Sequence, residues 1–464
     1  MPDPGSRGVE RHDLLVIGGG PGGIAATDAG IRRGASTLVV QDGPMGGDCT
    51  FTGCVPSKTL IAAAARGRTP TRALADVRAA IDRIAAMEDA DTFRRRGATV
   101  IEGRARFVDR GVVEVAGRRY GADAIVIATG AAPVVPPIDG LRESEPLTSE
   151  TLWDLDALPA SLAILGGGPI GIELAQAMAR LGVTVTVFEA MEEILGREEP
   201  ETARLVRAAL ADSGVDVRVG ARVERVEQIG ESRRIQTDGG DAVDTDAILV
   251  AIGRRPMTEG LDLEQAGVEV DDRGHIETDA HMATSASGIY AVGDVTGKFP
   301  FTHAAHAQGL VAVGNALGRG GWRKFSASST PFVTFTDPEI ARVGMTEAEA
   351  FAVHGADATV VELPMSALDR AITEGRTEGF VKVIAAPGRI LGMRAGGQIV
   401  GATIVSPHAG ELIHELSLAM RFRIPPAAIA MATHAYPTWG IAVQQAASGF
   451  FMDLPHGETR PARG

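Results

Sequence analysis

The sequence predicts an α/β protein with two Rossmann-like dinucleotide-binding domains followed by an α+β domain. The chain has 464 residues, which is enough for roughly three domains of about 150 residues each. A strand, turn, helix and strand pattern with a glycine-rich turn begins at Asp13 and recurs from Ser161. Two such βαβ units predict two nucleotide-binding domains, and the change of pattern after Pro331 predicts a third, different domain.

The composition is that of an ordinary soluble protein, with 45% apolar and 22% charged residues. The net charge of −14 argues against a nucleic-acid partner and against an anionic membrane surface. The N-terminal residues form no signal-peptide core, and no apolar run reaches the roughly 18 residues that span a membrane. We therefore expect a cytoplasmic location, with no membrane or nucleic-acid partner.

Both βαβ units show the same order of elements. The first has a strand from Asp13, a helix to Arg32 and the strand STLVV, and the second has a strand from Ser161, a helix to Leu181 and the strand VTVTVFE. A helical stretch at 60–96 and a strand-rich stretch at 99–130 lie between them. The third domain contains the strands PFVTFT and GFVKVIAA, the glycine-rich hairpin RILGMRAGG, and helices from Gly410. The first ten residues and the tail from Pro455 are predicted to be flexible.

The first glycine motif is Gly18, Gly20 and Gly23, directly after an apolar strand. The first glycine allows the tight turn, the second lets a pyrophosphate approach the backbone, and the third allows close packing of helix and strand. The helix N-terminus then offers free N–H groups to phosphates. The second strand ends in Gln41 and Asp42, where an acid that binds ribose is usual, and an uncharged Gln41 can still hydrogen-bond a hydroxyl. The alternative is another kind of phosphate-binding turn.

The second motif is Gly166, Gly168 and Gly171, and its second strand ends in Glu189. A carboxylate there accepts hydrogen bonds from both ribose hydroxyls and repels a 2′-phosphate. No arginine follows directly, so the pattern predicts NADH over NADPH. A simple strand-end role for Glu189 is the alternative.

Only two cysteines are present, Cys49 and Cys54, within the stretch GGDCTFTGCVPSKTL. One such short bridge would not hold a fold of this size, so a redox or metal role is favoured over a structural staple, and no neighbouring His or Cys completes a metal site. The pair is predicted to enter a helix and to close a disulfide across its first turn. The helix N-terminus and Lys58 are expected to lower a thiol pKa.

These residues resemble the class I pyridine nucleotide-disulfide oxidoreductases, the family that includes dihydrolipoamide dehydrogenase, glutathione reductase and mercuric reductase. The resemblance extends from Asp13 to Ala447. Further matching motifs are IATGAAP, GGGPIGIELA, AIGRRP, YAVGDVTG and FTDPEIARVGMTE. It implies FAD in the first domain, NAD in the second, and a homodimer in which the two subunits share each active site and reduce a small-molecule acceptor.

The resemblance also implies the domain boundaries. An FAD-binding domain is expected at 11–150, an NAD-binding domain at 151–275, a return segment of the FAD-binding domain at 276–328, a dimerisation domain at 329–452 and a flexible tail at 453–464.

The family pattern implies a role for each matching residue. Cys54 corresponds to the thiol against the flavin and Cys49 to the interchange thiol that faces substrate. Lys58 and Glu173 correspond to an ion pair beside the flavin and nicotinamide. Further positions expected to bind cofactor are Gly47, Ala105, Thr129, Gly130, Gly253, Asp294, Phe301, Thr302 and His303, with residues 300–303 beginning a helix aimed at the flavin.

The chain departs from the family near its C-terminus, in HAYPTWGIAVQQAA. Tyr436 stands where the family has a catalytic His, and Ile441 stands where a carboxylate orients that His. A phenol titrates near pH 10 and cannot readily act as a base at pH 7. His434 shares a face with Tyr436 in an extended segment, and a structural or solvent-facing role for it is favoured over a substitute catalytic one.

Three hypotheses follow. The first is an NADH:acceptor oxidoreductase whose acceptor is a small disulfide, a quinone-like molecule as in a diaphorase, or another compound. The second is a metal ion reductase similar to mercuric reductase, although the C-terminal cysteine pair of those enzymes is missing here and Pro169 replaces a common Tyr. The third is a binding protein that keeps FAD structurally, motivated by the missing His and Glu.

Overall fold

The structure is a computed structural model that describes residues 8–318, 323–390 and 393–463. Its strands are β1 (Val9–Ile17), β2 (Thr37–Gln41), β3 (Thr99–Glu102), β4 (Ala105–Asp109), β5 (Val112–Val115), β6 (Arg118–Ile127), β7 (Ala131–Pro133), β8 (Leu147–Thr148), β9 (Ser161–Leu165), β10 (Thr184–Phe188), β11 (Val215–Arg218), β12 (Val223–Ile229), β13 (Ser232–Thr237), β14 (Ala242–Thr245), β15 (Ala247–Val250), β16 (Arg254–Pro256), β17 (Ile289–Ala291), β18 (Phe332–Thr334), β19 (Glu339–Gly344), β20 (Thr359–Pro364), β21 (Phe380–Ile390), β22 (Met393–Ser406) and β23 (Glu458–Pro461). Its helices are α1 (Pro21–Ile31), α2 (Gly47–Phe51), α3 (Cys54–Ala65), α4 (Pro70–Ala85), α5 (Ala90–Arg96), α6 (Pro169–Arg180), α7 (Pro200–Asp212), α8 (Leu263–Ala266), α9 (Thr302–Ala316), α10 (Glu347–His354), α11 (Asp369–Glu374), α12 (Ala409–Phe422), α13 (Pro426–Met431) and α14 (Ile441–Ser448).

The described residues form two compact units. The first comprises the described parts of Met1–Pro137, Leu141–Leu158 and Leu249–Phe325, and the second those of Ile138–Gly140, Pro159–Ile248 and Ser326–Gly464. In the described part of the chain, none of the helices is both long enough and apolar enough to cross a membrane.

The first unit is built on a sheet with the strand order β3-β2-β1-β6-β5-β4, with β17 also beside β6. Strands β2, β1, β6 and β17 run parallel. Alternate side chains of β1 enter two different apolar cores, Leu15 and Ile17 on one face and Leu14 and Val16 on the other. A strand buried on both faces reads as a continuous apolar run, which is the pattern that predicted it.

Two boundaries in the first unit differ from the prediction. β1 begins at Val9, inside the stretch expected to be flexible, because Val9 to His12 pair in register with residues 119–122 of β6; residues 1–7 lie outside the described residues. The return to this unit occurs at Leu249, not at residue 276. The physical reason is packing, since Leu261 and Val268 lie in the same apolar core as Leu15.

The second unit contains the second βαβ pattern and the α+β fold. Parallel strands β9, β10 and β11 lie in the order β11-β10-β9, and β12, β13 and β14 form an antiparallel sheet. A six-stranded antiparallel sheet has the order β18-β19-β22-β21-β20-β23, and its core includes Val383, Ile404 and Leu416 of α12. The predicted fold class is confirmed. The turn of the predicted RILGMRAGG hairpin, residues 391–392, lies outside the described residues.

The tail, which was expected to be flexible, contributes β23, which pairs with β20. A buried ion cluster holds it: Arg460 Nη2 lies 2.8 Å from Glu347 Oε2, and Lys382 Nζ lies 3.2 Å from the same oxygen. Glu199 and Glu201 complete the cluster, in a carboxylate arrangement that could hold a metal ion. The Lys382 ammonium, 1% exposed, already supplies the compensating charge, so the expectation of no metal site stays unchanged.

Candidate active site

The first glycine motif forms a phosphate-binding turn between β1 and α1. Gly18 has a φ of +108°, and a Cβ on Gly23 would lie 1.8 Å from the Gly18 carbonyl oxygen. Gly20 is the N-cap of α1 and supplies no side chain to its first turn. The first turn of a helix leaves N–H groups without intrahelical partners, so this turn can receive phosphate oxygens.

Gln41, at the end of β2, braces the same turn. Its Oε1 accepts a hydrogen bond from the Gly19 N–H. Its Nε2 donates to the carbonyl oxygens of Asp42 at 3.1 Å and of Pro44 at 3.2 Å. Asp42 is exposed and forms an ion pair with Arg104 at 2.7 Å. Both ends of the Gln41 amide are therefore engaged by protein, which the sequence alone did not indicate.

The loop after β2 places the cysteine segment directly on the first turn. The Gly46 N–H donates to the Gly19 carbonyl oxygen at 2.8 Å. Gly47 has a φ of +59°, and a Cβ there would lie 2.8 Å from the Gly20 Cα. Helix α2 begins at Gly47, so Cys49 lies in the first turn of a helix whose first residue packs against Gly20.

The two cysteines lie on different helices, not on the first turn of one helix as predicted. Cys49 belongs to α2 and Cys54 begins α3. The chain reverses between them because the N–H groups of Thr52 and Gly53 both donate to the Asp48 carbonyl oxygen, at 2.9 and 2.5 Å. This turn still brings both thiols to one place.

No disulfide joins Cys49 and Cys54 in the structure. A hydrogen bond to Cys54, followed by burial, raises the pKa of Cys49, so the expected lowering of thiol pKa does not hold for Cys49. Cys54 Sγ lies 3.3 Å from Thr302 Oγ1, the first residue of α9, and the rings of Phe301 and His303 stack with centroids 5.8 Å apart. The predicted helix start at 300–303 is thus confirmed beside a thiol.

Lys58 and Glu173 belong to different units. Lys58 lies in α3, one turn after Cys54. Glu173 lies in α6 and is 5% exposed, and its Oε1 accepts a hydrogen bond from the Phe335 N–H at 2.8 Å. The described units do not place these two side chains relative to one another, so their pairing stays a prediction.

Other predicted FAD positions lie at strand ends of the first unit. Ala105 begins β4. The Thr129 hydroxyl donates to the Met257 carbonyl at 2.8 Å, and the Gly130 carbonyl accepts from the Met257 N–H at 3.0 Å. Gly253 directly precedes β16 and has a φ of +147°. The Thr129 hydroxyl is thus used within the protein.

Asp294 stands in a cluster that the sequence analysis missed. Burial raises the pKa of the Asp294 carboxyl. Arg254 lies 3.9 Å from it, measured from Nε to Oδ2, and also binds Asp48, the residue before Cys49. The motif AIGRRP could have drawn attention to Arg254, but its partners lie far away in sequence.

The second glycine motif repeats the first. A Cβ on Gly171 would lie 2.1 Å from the Gly166 carbonyl oxygen, and Gly168 is the N-cap of α6 without a side chain. Glu189 Oε2 accepts from the Gly167 N–H at 2.7 Å. Its Oε1 accepts from the Met191 N–H at 2.8 Å. Backbone N–H groups orient the carboxylate at the strand end, and its role in binding ribose stays a prediction.

The two C-terminal residues have partners that the sequence did not reveal. Tyr436 is 71% exposed, and its Oη donates to Asp369 Oδ2 at 2.8 Å. His434 Nε2 lies 3.2 Å from both carboxylate oxygens of Glu415, and its Nδ1 lies 3.1 Å from the Ala432 carbonyl oxygen. Acceptors face both ring nitrogens. This geometry supports the structural interpretation of His434.

Both turns fit a bound dinucleotide. A Cβ added at Gly168 would meet no atom within 4 Å, and one at Gly20 would meet only the Gly47 Cα at 4.0 Å, so each motif leaves room beside the helix N-terminus. In the first unit the buried Nε of Arg254 has no hydrogen-bond partner beside the Asp294 carboxylate. An unsatisfied buried donor beside a half-buried acid fits a polar ligand group.

Comparison with known proteins assigns the family. The pyridine nucleotide-disulphide oxidoreductase model matches residues 12–309, and the dimerisation domain of the same family matches residues 330–447. A dihydrolipoyl dehydrogenase of Thermus scotoductus is 36% identical, covering 97% of this chain and 99% of that protein. A mercuric reductase of Lysinibacillus sphaericus is 34% identical, covering 96% and 84%.

Solved structures agree. The Cu(II) complex of the HOCl-induced flavoprotein disulfide reductase RclA from Escherichia coli superposes with a TM-score of 0.85 at 29% identity, covering 95% of this chain and 99% of that one. The dimerisation domain supports a homodimer. This chain therefore belongs to the pyridine nucleotide-disulphide oxidoreductase family and is an FAD-dependent oxidoreductase that uses NAD(P)H.

Proposed function

We propose that this chain passes electrons from NADH, through FAD, to the Cys49–Cys54 pair and on to a small disulfide or another small acceptor. The observation that carries the proposal is that the segment leading into Cys49 is held on the first nucleotide turn through Gly46 and Gly47, and that Cys54 begins the next helix. When bound, FAD supplies a two-electron carrier between a nicotinamide hydride and a disulfide.

The reaction balances in two halves. NADH, one proton and the Cys49–Cys54 disulfide give NAD⁺ and two thiols. An acceptor disulfide then takes the two electrons and two protons, which re-forms the Cys49–Cys54 bond and releases two small thiols.

The preference for NADH over NADPH rests on Glu189. Two backbone N–H groups hold its carboxylate at the end of the second strand, at the position where an acid accepts hydrogen bonds from the ribose. A 2′-phosphate would stand against this negative charge.

The two thiols are proposed to have different tasks. Cys54 begins the twelve-residue helix α3, and a helix N-terminus stabilises a thiolate. Cys54 is therefore the thiol proposed to face the flavin, with Lys58 as its nearby cation, and Cys49 is the interchange thiol.

The proposed homodimer would supply Tyr436 of each subunit to the cysteine pair of the other. Exposed apolar side chains, Leu418, Phe422 and Met431, lie on α12 and α13 of the single chain, 54%, 68% and 81% exposed. Tyr436 lies in the segment that follows α13. Exposed apolar groups in a domain of this family are suited to a subunit interface.

Tyr436 can donate a hydrogen bond but cannot serve as a base near neutral pH. The hydrogen bond to the Asp369 carboxylate raises its pKa above the ordinary value, and His434 is committed to Glu415. Deprotonation of Cys49 must therefore be assisted by solvent or by the acceptor. The lack of a base at Tyr436 favours acceptors whose leaving group either takes up a proton readily or needs no proton.

The proposal is tested by anaerobic titration with NADH, and separately with NADPH, of the wild-type protein and the Cys49→Ser and Cys54→Ser variants. We expect NADH to produce a long-wavelength thiolate–flavin absorption band in the wild type, which Cys54→Ser abolishes and Cys49→Ser retains. Turnover with an aromatic chromogenic disulfide should fall at least about 100-fold in both variants.

Full turnover of Cys49→Ser with the disulfide would rule out the thiol route. If both variants instead keep full turnover with a quinone, and the wild type shows none with disulfides, the diaphorase interpretation is correct. Equal reduction rates with NADH and NADPH would contradict the proposed nucleotide preference.

A second candidate function is reduction of a thiol-bound metal ion. Tyr436 favours it, because such a reduction requires no base at that position. The mercuric reductase relative and the Cu(II) complex of RclA support the same reading. One NADH would reduce two Cu²⁺ to two Cu⁺, or one Hg²⁺ to Hg⁰, with release of NAD⁺ and one proton. Absence of metal-dependent NADH oxidation in the presence of excess small thiol would exclude it.

A further inference from the structure

We propose that Arg342, in the C-terminal sheet, is a positioning residue for the nicotinamide nucleotide: it anchors the loop that follows β10 and thereby fixes the peptide between Gly167 and Gly168 in the second turn. The inference deepens the proposed function, since it rests on NADH binding at that turn. Arg342 lies within the motif FTDPEIARVGMTE, but it has no role in the expectations drawn from the sequence.

The first step is the contact between this loop, residues 190–199, and the glycine turn. The Leu195 N–H donates to the Gly167 carbonyl oxygen at 3.0 Å, and the Glu189 carboxylate accepts from the Gly167 N–H at 2.7 Å. The peptide between Gly167 and Gly168 is trans, so its N–H points opposite to its carbonyl. Leu195 therefore sets the direction of the Gly168 N–H, at the N-terminus of α6 where a phosphate is expected.

The second step is that the loop needs support to keep this contact. Leu195 has a φ of +53°, in the left-handed region that disfavours residues with a Cβ. Ile194 is fully buried, and a Cβ on Gly167 would lie 2.8 Å from Ile194 Cγ2, so loop and turn are in close contact. A residue in a sparsely populated backbone conformation persists only where the surrounding structure holds it.

The third step is the anchor that Arg342 supplies. Its Nε donates to Glu198 Oε2 at 2.9 Å, and its Nη2 donates to the Arg197 carbonyl oxygen at 3.0 Å. The Glu198 N–H donates in turn to the Leu195 carbonyl oxygen at 2.8 Å, which closes a short turn. A continuous path of hydrogen bonds thus leads from the guanidinium through Glu198 and Leu195 to Gly167.

The position of Arg342 is set independently of the loop. Arg342 lies in β19 with a strand on either side, opposite Phe332 of β18 and Thr403 of β22. Its guanidinium carbon lies 4.5 Å from the centroid of the Phe332 ring, and its side chain is 10% exposed. The sheet and the aromatic ring therefore present the guanidinium to the loop in a fixed place.

The fourth step is the balance of charge at the anchor. The Glu198 side chain is 7% exposed. Burial raises the pKa of its carboxyl, Arg342 opposes that rise, and the neighbouring Glu199 and Glu349 add to it. Without Arg342 a buried carboxylate would stand among other acids, which favours movement of Glu198 toward solvent and loss of the turn. Glu199 has a separate partner, the Glu347 N–H at 2.8 Å, so the change should be confined to the loop before α7.

The test measures nucleotide affinity separately from hydride transfer. Calorimetry with NAD⁺ on the oxidised holoprotein gives one Kd, and anaerobic stopped-flow reduction by NADH gives a second Kd and the limiting rate of flavin reduction. We expect Arg342→Gln to raise both Kd values about five- to tenfold, a part of what a lost charged hydrogen bond costs. The limiting rate should stay within about twofold, because Arg342 acts on binding and does not touch the reacting atoms.

Two further variants break or keep parts of the same contact. Arg342→Lys keeps the charge without the forked geometry, so its Kd values should lie between those of the wild type and Arg342→Gln. Glu198→Ala removes the contact from the other side and leaves no buried carboxylate, so it should raise Kd about threefold even if Arg342→Gln does not fold. Flavin content and melting temperature are recorded for every variant.

The matched control is Arg180→Gln. Arg180 lies at the end of α6 and pairs with Asp337 at 2.9 Å, so this pair also joins the second βαβ pattern to the C-terminal fold. Its partner lies outside the loop 190–199, and its removal should leave both Kd values unchanged.

Three results would overturn the proposal. Wild-type Kd values in Arg342→Gln or in Glu198→Ala would remove the anchor, and a lower limiting rate at constant Kd would place the effect on hydride transfer. An equal rise of Kd in Arg180→Gln would show a general loosening of the fold. Failure of the proposed electron route would instead appear as a wild-type flavin that NADH does not reduce, and the calorimetry with NAD⁺ would still test the anchor.

Discussion

The two nucleotide turns of this chain share one backbone framework. In both, the N–H of the residue between the first two motif glycines, Gly19 or Gly167, donates to a side chain 22 residues later. In both, the carbonyl of that glycine accepts an N–H from the loop after the second strand, from Gly46 at 2.8 Å and from Leu195 at 3.0 Å. The two domains, which are expected to bind different ligands, thus fold this turn with the same backbone hydrogen bonds.

The difference lies in the side chain that ends the second strand. Glu189 uses its second oxygen to accept the Met191 N–H at 2.8 Å. Gln41 instead uses its amide nitrogen to donate to the carbonyl oxygens of Asp42 and Pro44. The loop after β10 presents an N–H to the side chain, whereas the loop after β2 presents carbonyls.

Backbone polarity therefore selects the residue type at this position before any ligand binds. A carboxylate accepts hydrogen bonds only, whereas an amide can also donate. After its two protein contacts Glu189 keeps acceptor capacity for ribose hydroxyls. Gln41 has both amide hydrogens engaged and offers only the remaining acceptor capacity of Oε1. The uncharged residue at the first site is accounted for by its own loop.

The largest expected difference between the two turns comes from their third glycines. An alanine Cβ at Gly23 would lie 1.8 Å from a carbonyl oxygen, and one at Gly171 would lie 2.1 Å from the equivalent atom. We expect Gly23→Ala to yield protein without visible flavin absorbance, and Gly171→Ala to stay yellow while its reduction by NADH slows at least about tenfold, since such overlap cannot relax cheaply.

The control for this pair is Gly196→Ala, whose Cβ would meet no atom within 4 Å, and which should match the wild type in colour and reduction rate. A yellow Gly23→Ala protein that NADH reduces normally would contradict separate roles for the two turns, the first in binding flavin and the second in binding NADH.

The next effect concerns nucleotide choice. Replacing Glu189 by alanine removes the charge that opposes a 2′-phosphate and leaves the Gly167 and Met191 N–H groups without their acceptor. We expect kcat/KM for NADH to fall about tenfold and the NADPH-to-NADH ratio to rise. Steady-state kinetics with both nucleotides measures it, with Glu192→Ala, an exposed neighbouring acid, as the control.

An unchanged ratio in Glu189→Ala would place nucleotide selection elsewhere in the second unit. The equivalent change in the first turn, Gln41→Ala, should leave the ratio as it is and act on flavin retention and stability. The two substitutions together thus test whether Glu189 selects the nucleotide and Gln41 braces its loop.

The framework of both turns was predictable because its signals are local. An apolar strand, glycines at fixed spacing and a following helix are all read within about 30 residues. β23 was not predictable, because the sequence ETRP carries no strand pattern. It forms because Arg460 reaches Glu347, more than a hundred positions away, and because β20 offers an edge.

The candidate site divides in the same way. Positions such as Cys49, Cys54 and Glu189 follow from motifs. The partners that give them their properties do not: Asp48 meets Arg254 across 206 positions, and His434 meets Glu415 on α12. Sequence spacing indicates which residues carry groups able to bind or react. Long-range packing decides which hydrogen bonds those groups already form within the protein.

A smaller effect is expected when the two strand-end residues are exchanged. Gln41→Glu keeps the contact with the Gly19 N–H but sets a carboxylate oxygen against the carbonyl oxygens of Asp42 and Pro44. Glu189→Gln can turn its amide N–H toward the backbone N–H of Met191, so that two donors face each other. Each exchange should lower the free energy of unfolding by about 1–2 kcal/mol, the cost of a misdirected partly buried polar group. Thermal and denaturant unfolding of the two holoproteins measures it.

Stabilisation by Gln41→Glu would contradict the backbone-polarity explanation and would favour a direct role of the residue in binding ribose. No other side chain at position 41 keeps both the acceptor and the donor of the Gln41 amide, so Gln41→Ala is the reference variant. That variant removes both kinds of contact and should be less destabilised than Gln41→Glu if repulsion is the cause.

The smallest effect is expected at Asp42, which follows Gln41 and has no counterpart role in the second turn. Its side chain pairs with Arg104 at 2.7 Å, but the two side chains are 57% and 87% exposed, and exposed ion pairs contribute little. Asp42→Asn should therefore change neither flavin retention nor NADH reduction beyond about twofold, and its melting temperature should stay within about 2 °C of the wild type. Only the Asp42 carbonyl, which accepts the Gln41 amide, contributes to the brace, and the substitution leaves that carbonyl in place. Loss of flavin in Asp42→Asn would mean that the acid usual at the end of the second strand has moved by one residue, and that the first turn recognises ribose with Asp42 after all.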